Sequence, residues 1–87
     1  MEFLFKDEAE NDLTYWHQKN KSIIKRIESL LKSMKQTPFK GIGHPEPLKG
    51  NLSGYWSRRI NRKHRIIYTV KKEIITIYSL RDHYDDK

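Results

Sequence analysis

Residues 55–80, YWSRRINRKHRIIYTVKKEIITIYSL, decide the fold. The stretch holds three strand-like runs: Tyr55–Ile60, Arg65–Val70 and Ile74–Leu80. Isoleucine, valine, threonine and tyrosine dominate the last two, the composition a pleated, half-buried surface favours. The links Asn61–His64 and Lys71–Glu73 are short enough for hairpins, so the three runs read as an antiparallel meander. Upstream, residues 37–47, TPFKGIGHPEP, hold all three prolines and two of the four glycines, which reads as an irregular but stiff loop. Pro38 closes a helix whose apolar stripe is Ile23, Ile27, Leu30, Leu31 and Met34, with Ile24 beside it. Asn20 reads as its N-cap. Ala9, Leu13 and Trp16, spaced by four and three, mark an earlier helix running to about Gln18. Asp7 reads as its N-cap, with Glu8 and Glu10 in the first turn, where carboxylates complement the helix dipole. Phe3–Phe5 reads as a short first strand. The order is β-α-α-β-β-β: an α+β fold with a helical hairpin packed on one face of a small antiparallel sheet.

The 87 residues read as a single domain, 1–87. At this size the core is thin. Without a cysteine it must hold with no disulfide and no thiolate metal site, which suits a reducing cytoplasm. No apolar run approaches the about 20 residues that span a bilayer, and the opening MEFLF is too short for a signal sequence. A secreted disulfide scaffold, a membrane protein and a multidomain enzyme are all poor fits. The net charge of +7 is unevenly placed. Residues 13–72 carry fifteen bases against only Glu28 and Glu46, a net +13, whereas residues 1–12 carry −4 and residues 73–87 carry −2. Such a field attracts polyanions, nucleic acid first and an acidic protein second.

Familiar cofactor motifs are missing. His17, His44, His64 and His83 show no metal-ligand spacing, Gly41 and Gly43 lack the rest of a dinucleotide fingerprint, and Gly50 opens no phosphate-binding loop. No metal or cofactor is therefore expected. Acid–base chemistry in a basic setting remains. Glu46 is the sole acid between Glu28 and Glu73, framed by Pro45 and Pro47, and a carboxylate held stiffly among cations suits a general base. Neutralising Lys49 or His44 is its plainer role. His83 follows the last run and titrates near neutral pH, as a general acid should; Tyr84 beside it offers a face on which a base can stack. Arg58, Arg59, Arg62, Lys63, Arg65, Lys71 and Lys72 form a cationic platform. Strand alternation sets Arg65 against Ile66, Tyr68 and Val70 and points it away from the helices. Arg58 and Arg59 face opposite ways, so one of them joins Arg65, and hairpin register decides which. These are the parts of a metal-free ribonuclease. A base takes the proton of a ribose 2′-OH, the oxygen attacks the adjacent phosphate, an acid protonates the departing 5′-oxygen, and arginine steadies the charge.

Several runs then resemble the YoeB toxins of the RelE/ParE superfamily: Pro45-Glu46-Pro47-Leu48-Lys49, Asn51 through Ile60 (NLSGYWSRRI), His64-Arg65 with Ile66-Ile67-Tyr68, and the closing His83-Tyr84. Thr37-Pro38-Phe39 and Tyr15-Trp16 fit the same pattern, and the resemblance covers about residues 3–84. It implies the toxin of a bacterial type II toxin–antitoxin system, a cytoplasmic endoribonuclease that cuts mRNA in the ribosomal A site. It also implies neutralisation by a YefM-like antitoxin and self-association into a homodimer. Carried over residue by residue, the general base falls on Glu46, the general acid on His83 and the phosphate-binding arginine on Arg65. Lys49, Arg59 and Tyr84 fall on RNA-binding positions. Asp85-Asp86-Lys87 extends beyond the usual His-Tyr end. The alternatives are a ParE-like toxin that binds gyrase and a non-catalytic RNA-binding module, neither of which needs both an acid and a base.

Overall fold

Asn20 alone separates two helices, α1 (Asp7–Lys19) and α2 (Lys21–Gln36), in the computed structural model, which describes residues 1–82. Its backbone N–H donates to the Trp16 carbonyl at the end of α1. Its side chain accepts from the Ser22 and Ile23 amides at the start of α2, the N-cap role expected of it. One residue thus satisfies both helix ends and fixes the hairpin.

The helices cover one face of a five-stranded sheet in the order β1-β5-β4-β3-β2. Strands β3 (Trp56–Arg59), β4 (Arg65–Lys71) and β5 (Ile74–Ser79) are the expected antiparallel meander. Two strands widen it. β1 (Glu2–Phe5) lies parallel to β5, with Phe3 opposite Ile75 and Phe5 opposite Ile77, so the sheet is mixed rather than antiparallel throughout. β2 (Glu46–Pro47) lies antiparallel to β3, with Glu46 opposite Ser57. The loop expected over residues 37–47 therefore ends in an edge strand, the place where a proline without an N–H is tolerated. The start of α1 also differs by one residue. The Lys6 amide still bonds the Ile77 carbonyl (2.9 Å), so Lys6 is the N-cap and Asp7 the first helical residue.

The core lies between the layers. Ile23, Ile24, Ile27, Leu30 and Met34 of α2 and Ala9 and Trp16 of α1 share one buried cluster with Ile66, Tyr68, Ile75 and Ile77 of the sheet. Leu13 is only half-buried, and the stripe of α1 includes buried Asp12 instead.

The β4–β5 turn carries a local conflict. Lys72 (φ 49°) and Glu73 (φ 66°) both occupy the left-handed region that a tight hairpin demands and that asparagine and glycine accept more readily. Replacing Lys72-Glu73 by Asn-Gly should stabilise the protein by about 1 kcal/mol, read from denaturant midpoints.

Candidate active site

Arg58 and Arg59 are neighbours on β3 with opposite fates. Arg58 points toward the helices and is fully buried, whereas Arg59 is exposed. Placing Arg58 in a surface cationic platform is thus corrected. Its guanidinium has five N–H groups, and all five have partners. Nε donates to the Tyr68 hydroxyl (3.2 Å), Nη1 to Ser33 Oγ (2.9 Å) and the Ile42 carbonyl (3.1 Å), and Nη2 to the carbonyls of Thr37 (2.7 Å) and Lys40 (2.6 Å). The Tyr68 hydroxyl donates onward to the Pro38 carbonyl at 2.9 Å. Burial holds that hydroxyl above its ordinary pKa against the pull of Arg58, so it remains a donor. The loop between α2 and β2 is wound around this buried cation. Gly43 completes the closure. Its carbonyl accepts from the Arg59 amide (2.6 Å), its φ is +85°, and a Cβ there would meet Leu30 Cδ2 at 2.5 Å. Beyond it, Glu46 is delivered to the sheet edge.

The face away from the helices gathers Glu46, Arg59 and Arg65. Residues opposite one another in register share a face. Glu46 lies opposite Ser57, Ser57 opposite Ile67, and Arg59 opposite Arg65. Arg65 therefore points away from the helices as expected, and Arg59 is the arginine that joins it. Strand spacings put the Cα atoms of Arg59 and Arg65 about 5 Å apart and that of Glu46 about 8 Å diagonally from Arg59. Both arginines are exposed and Glu46 is half-buried. Like charges directly opposite on a sheet repel, and an anion seated on the pair relieves that repulsion. Beyond them Tyr55 packs on Tyr78 with ring centroids 4.9 Å apart, and the Tyr78 hydroxyl meets Thr69 Oγ1 at 3.4 Å. Lys49 is exposed, three residues past Glu46, at the start of the short turn Gly50–Leu52. A carboxylate on the same sheet face as two guanidiniums can accept a proton while the cations hold a phosphate.

His83 and Tyr84 lie outside the described residues, but the chain leading to them is tightly held. Asp12 of α1 accepts from the Leu80 amide (2.9 Å), and Trp16 Nε1 donates to the Leu80 carbonyl (2.8 Å). The Arg81 guanidinium lies over the Tyr15 ring at 4.0 Å. The Asp82 amide donates to His64 Nδ1 (2.9 Å), and the His64 ring packs edge-on against Trp16. Desolvation, then Lys63, lowers the His64 pKa, with Arg81 in the same direction and Asp82 and Asp12 opposing. Sequence reasoning missed Asp12 and the part played by His64. The signal for Asp12 was present: it falls on the stripe between Ala9 and Trp16, where an acid is out of place unless it meets a backbone donor.

A family model described as the YoeB-like toxin of bacterial type II toxin–antitoxin systems matches residues 5–84. A relative named Toxin YoeB from Synechocystis sp. is 48% identical over 84 residues, covering 97% of this chain and 98% of its own length. Among solved structures, a heterotetrameric YoeB–YefM toxin–antitoxin complex from Staphylococcus aureus superposes with a TM-score of 0.89 at 46% identity, covering 94% of this chain and 95% of the matched one. A YoeB dimer from the same organism does so with a TM-score of 0.89 at 45% identity, covering 97% and 98%.

Removing the Arg58 side chain takes a donor from three carbonyls and two hydroxyls. Arg58→Ala should cost at least about 3 kcal/mol in chemical denaturation, and Arg58→Lys, with three donors rather than five, should recover only part of it. For His64 the folded pKa is below the unfolded value of about 6.5. Its neutral form is the one the fold holds, so its contribution is complete above pH about 6.5 and is lost as pH falls through the lowered folded pKa. Melting temperatures followed downward from pH 7.5 should fall more steeply for the wild type than for His64→Asn.

Proposed function

This chain belongs to the YoeB-like toxins of bacterial type II toxin–antitoxin systems, and from that membership we propose that it is a ribosome-dependent endoribonuclease that cleaves mRNA in the ribosomal A site. Glu46 takes the proton of a ribose 2′-OH. The 2′-oxygen attacks the adjacent phosphorus, and the bond to the 5′-oxygen breaks. His83 gives that oxygen its proton, leaving a 2′,3′-cyclic phosphate and a 5′-hydroxyl. Arg65 stabilises the charge that builds on the phosphate, as a positioned guanidinium does without reorganising. Arg59, Lys49 and Tyr84 hold the RNA. The need for a 2′-OH confines the reaction to RNA. The observation that carries this reading is the cross-strand pair Arg59–Arg65 on the helix-free face, with Glu46 one strand away from Arg59.

The partners follow the relatives. YoeB of Staphylococcus aureus assembles with YefM and is also known as a dimer. For this chain we propose a YefM-like antitoxin, whose acidic, partly disordered segment folds onto the basic surface, and a homodimer. Its place of action is then the cytoplasm. Among the described residues no helix is long and apolar enough to cross a membrane.

Glu46→Gln and His83→Gln should each lower cleavage of mRNA on translating ribosomes by about 10²–10⁴-fold, with unchanged unfolding curves. Primer extension reads the cut sites. Undiminished cleavage by both variants would reject the assignment, and gyrase inhibition with intact mRNA would replace it with the gyrase-binding alternative.

A further inference from the structure

The three residues ahead of His83 are each gripped by a side chain from elsewhere in the fold. Leu80 is held at both backbone groups, its N–H by Asp12 and its carbonyl by Trp16 Nε1. Arg81 is laid on Tyr15 at 4.0 Å. Asp82 is held at its N–H by His64 Nδ1 at 2.9 Å. The first two grips come from α1, and the one on Leu80 belongs to the core, since Asp12 and Trp16 are almost fully buried. The third is different in kind. His64 is half-buried, it stands immediately before Arg65, and its own placement is determined on both sides. Asn61 Oδ1 accepts from the His64 amide (2.8 Å), closing a side-chain turn, and the His64 carbonyl accepts from the Ile60 amide (2.9 Å). The ring edge rests on Trp16, with centroids 4.8 Å apart.

We propose that His64 is a positioning residue for the reaction: its Nδ1 lone pair fixes the backbone of Asp82, the residue that immediately precedes the general acid His83. The inference rests on the assignment of His83 above. Its chemistry follows from the two ring nitrogens. Nδ1 accepts a hydrogen bond only when it carries no proton, so the ring must be neutral with its proton on Nε2. Protonation turns both nitrogens into donors, sets N–H against N–H, and breaks the bond to the Asp82 amide. The groups that face the ring bear on this change from both signs. Lys63 and Arg81 oppose the proton, as does desolvation, while Asp82 and Asp12 favour it. A general acid must itself be protonated at the start of each turnover. Acidification that reaches His64 would break its bond to the Asp82 amide, which would give the acid side of the rate profile a steeper fall than one titration produces.

Two variants separate anchoring from packing. His64→Phe keeps an aromatic edge for Trp16 and removes the acceptor. His64→Asn places an oxygen where Nδ1 stands and cannot titrate. Single-turnover cleavage on programmed ribosomes should show kcat lowered about 10–100-fold in His64→Phe with KM unchanged, the size expected of a misplaced catalytic group. His64→Asn should return to within about threefold of wild type and lose the steep acid limb. Both variants cutting at the wild-type rate, or Asn failing as badly as Phe, would overturn the proposal. Nuclear magnetic resonance supplies a readout free of activity, so a wild type that cuts no mRNA sinks the parent reading alone. The Asp82 amide should titrate together with the His64 ring, and in His64→Phe it should lose its protection from hydrogen exchange. An Asp82 amide indifferent to both would overturn the proposal.

Discussion

A buried guanidinium organises this fold. Taking an arginine out of water costs several kcal/mol, and only a full set of acceptors makes it tolerable. Arg58 finds that set in a hydroxyl from α2, a tyrosine from β4 and three carbonyls of the loop between α2 and β2. Smaller contacts assist: Phe39 packs on Trp56 with ring centroids 4.7 Å apart, and the Ile42 amide donates to Ser33 Oγ. Positive φ at Gly41 and Gly43 keeps the loop out of regular structure. What gives it one shape is the need to converge its carbonyls on a cation. The loop ends at Glu46, so the same cation that lies in the core determines where the edge carboxylate is delivered.

The second consequence is one of parity. Successive residues on a strand face opposite ways. Committing Arg58 to the core commits Arg59 to the other face, where it meets Arg65 across β3–β4. A slip of one residue would exchange them, burying Arg59 beneath the helices and moving Arg58 to the surface. The hydrogen bonds around Arg58 hold that register, together with Arg26 of α2, which donates to the carbonyls of Ile60 and Arg59 at the end of β3. The paired exposed cations are thus a by-product of a core decision. Their mutual repulsion makes that face a natural seat for a phosphate chain.

Much of this was legible in the residues. The periodic stripe of α2, the cap at Asn20 and the β-rich runs each signal a local preference, and local preference and tertiary packing agree at all of them. The orientation of Arg65 followed from alternation alone. Three features resisted. β2 is two residues long and contains a proline, so no strand propensity marks it; it exists because Arg58 and Gly43 press the loop against β3. The choice between Arg58 and Arg59 rests on hairpin register, which depends on tertiary contacts rather than composition. The edge strand β1 shows in the sequence as the apolar Phe3–Phe5, but its parallel pairing with β5 is set by long-range topology. Of the site, Glu46, Arg59 and Arg65 come to one face, while the roles of Asp12 and His64 are backbone interactions across the chain that side-chain chemistry alone does not announce.

The central claim is that the helix-free face, and not the lysine-rich outer face of α2, receives the polyanion. Titrating the isotope-labelled protein with a short single-stranded RNA and following its amide resonances addresses this directly, with a DNA of the same sequence as the control. The account predicts shifts concentrated at Glu46, Ser57, Arg59, Arg65 and Ile67, diminishing as salt is raised. Shifts concentrated instead at Lys21, Lys25, Lys32 and Lys35, with β3 and β4 unmoved, would contradict it.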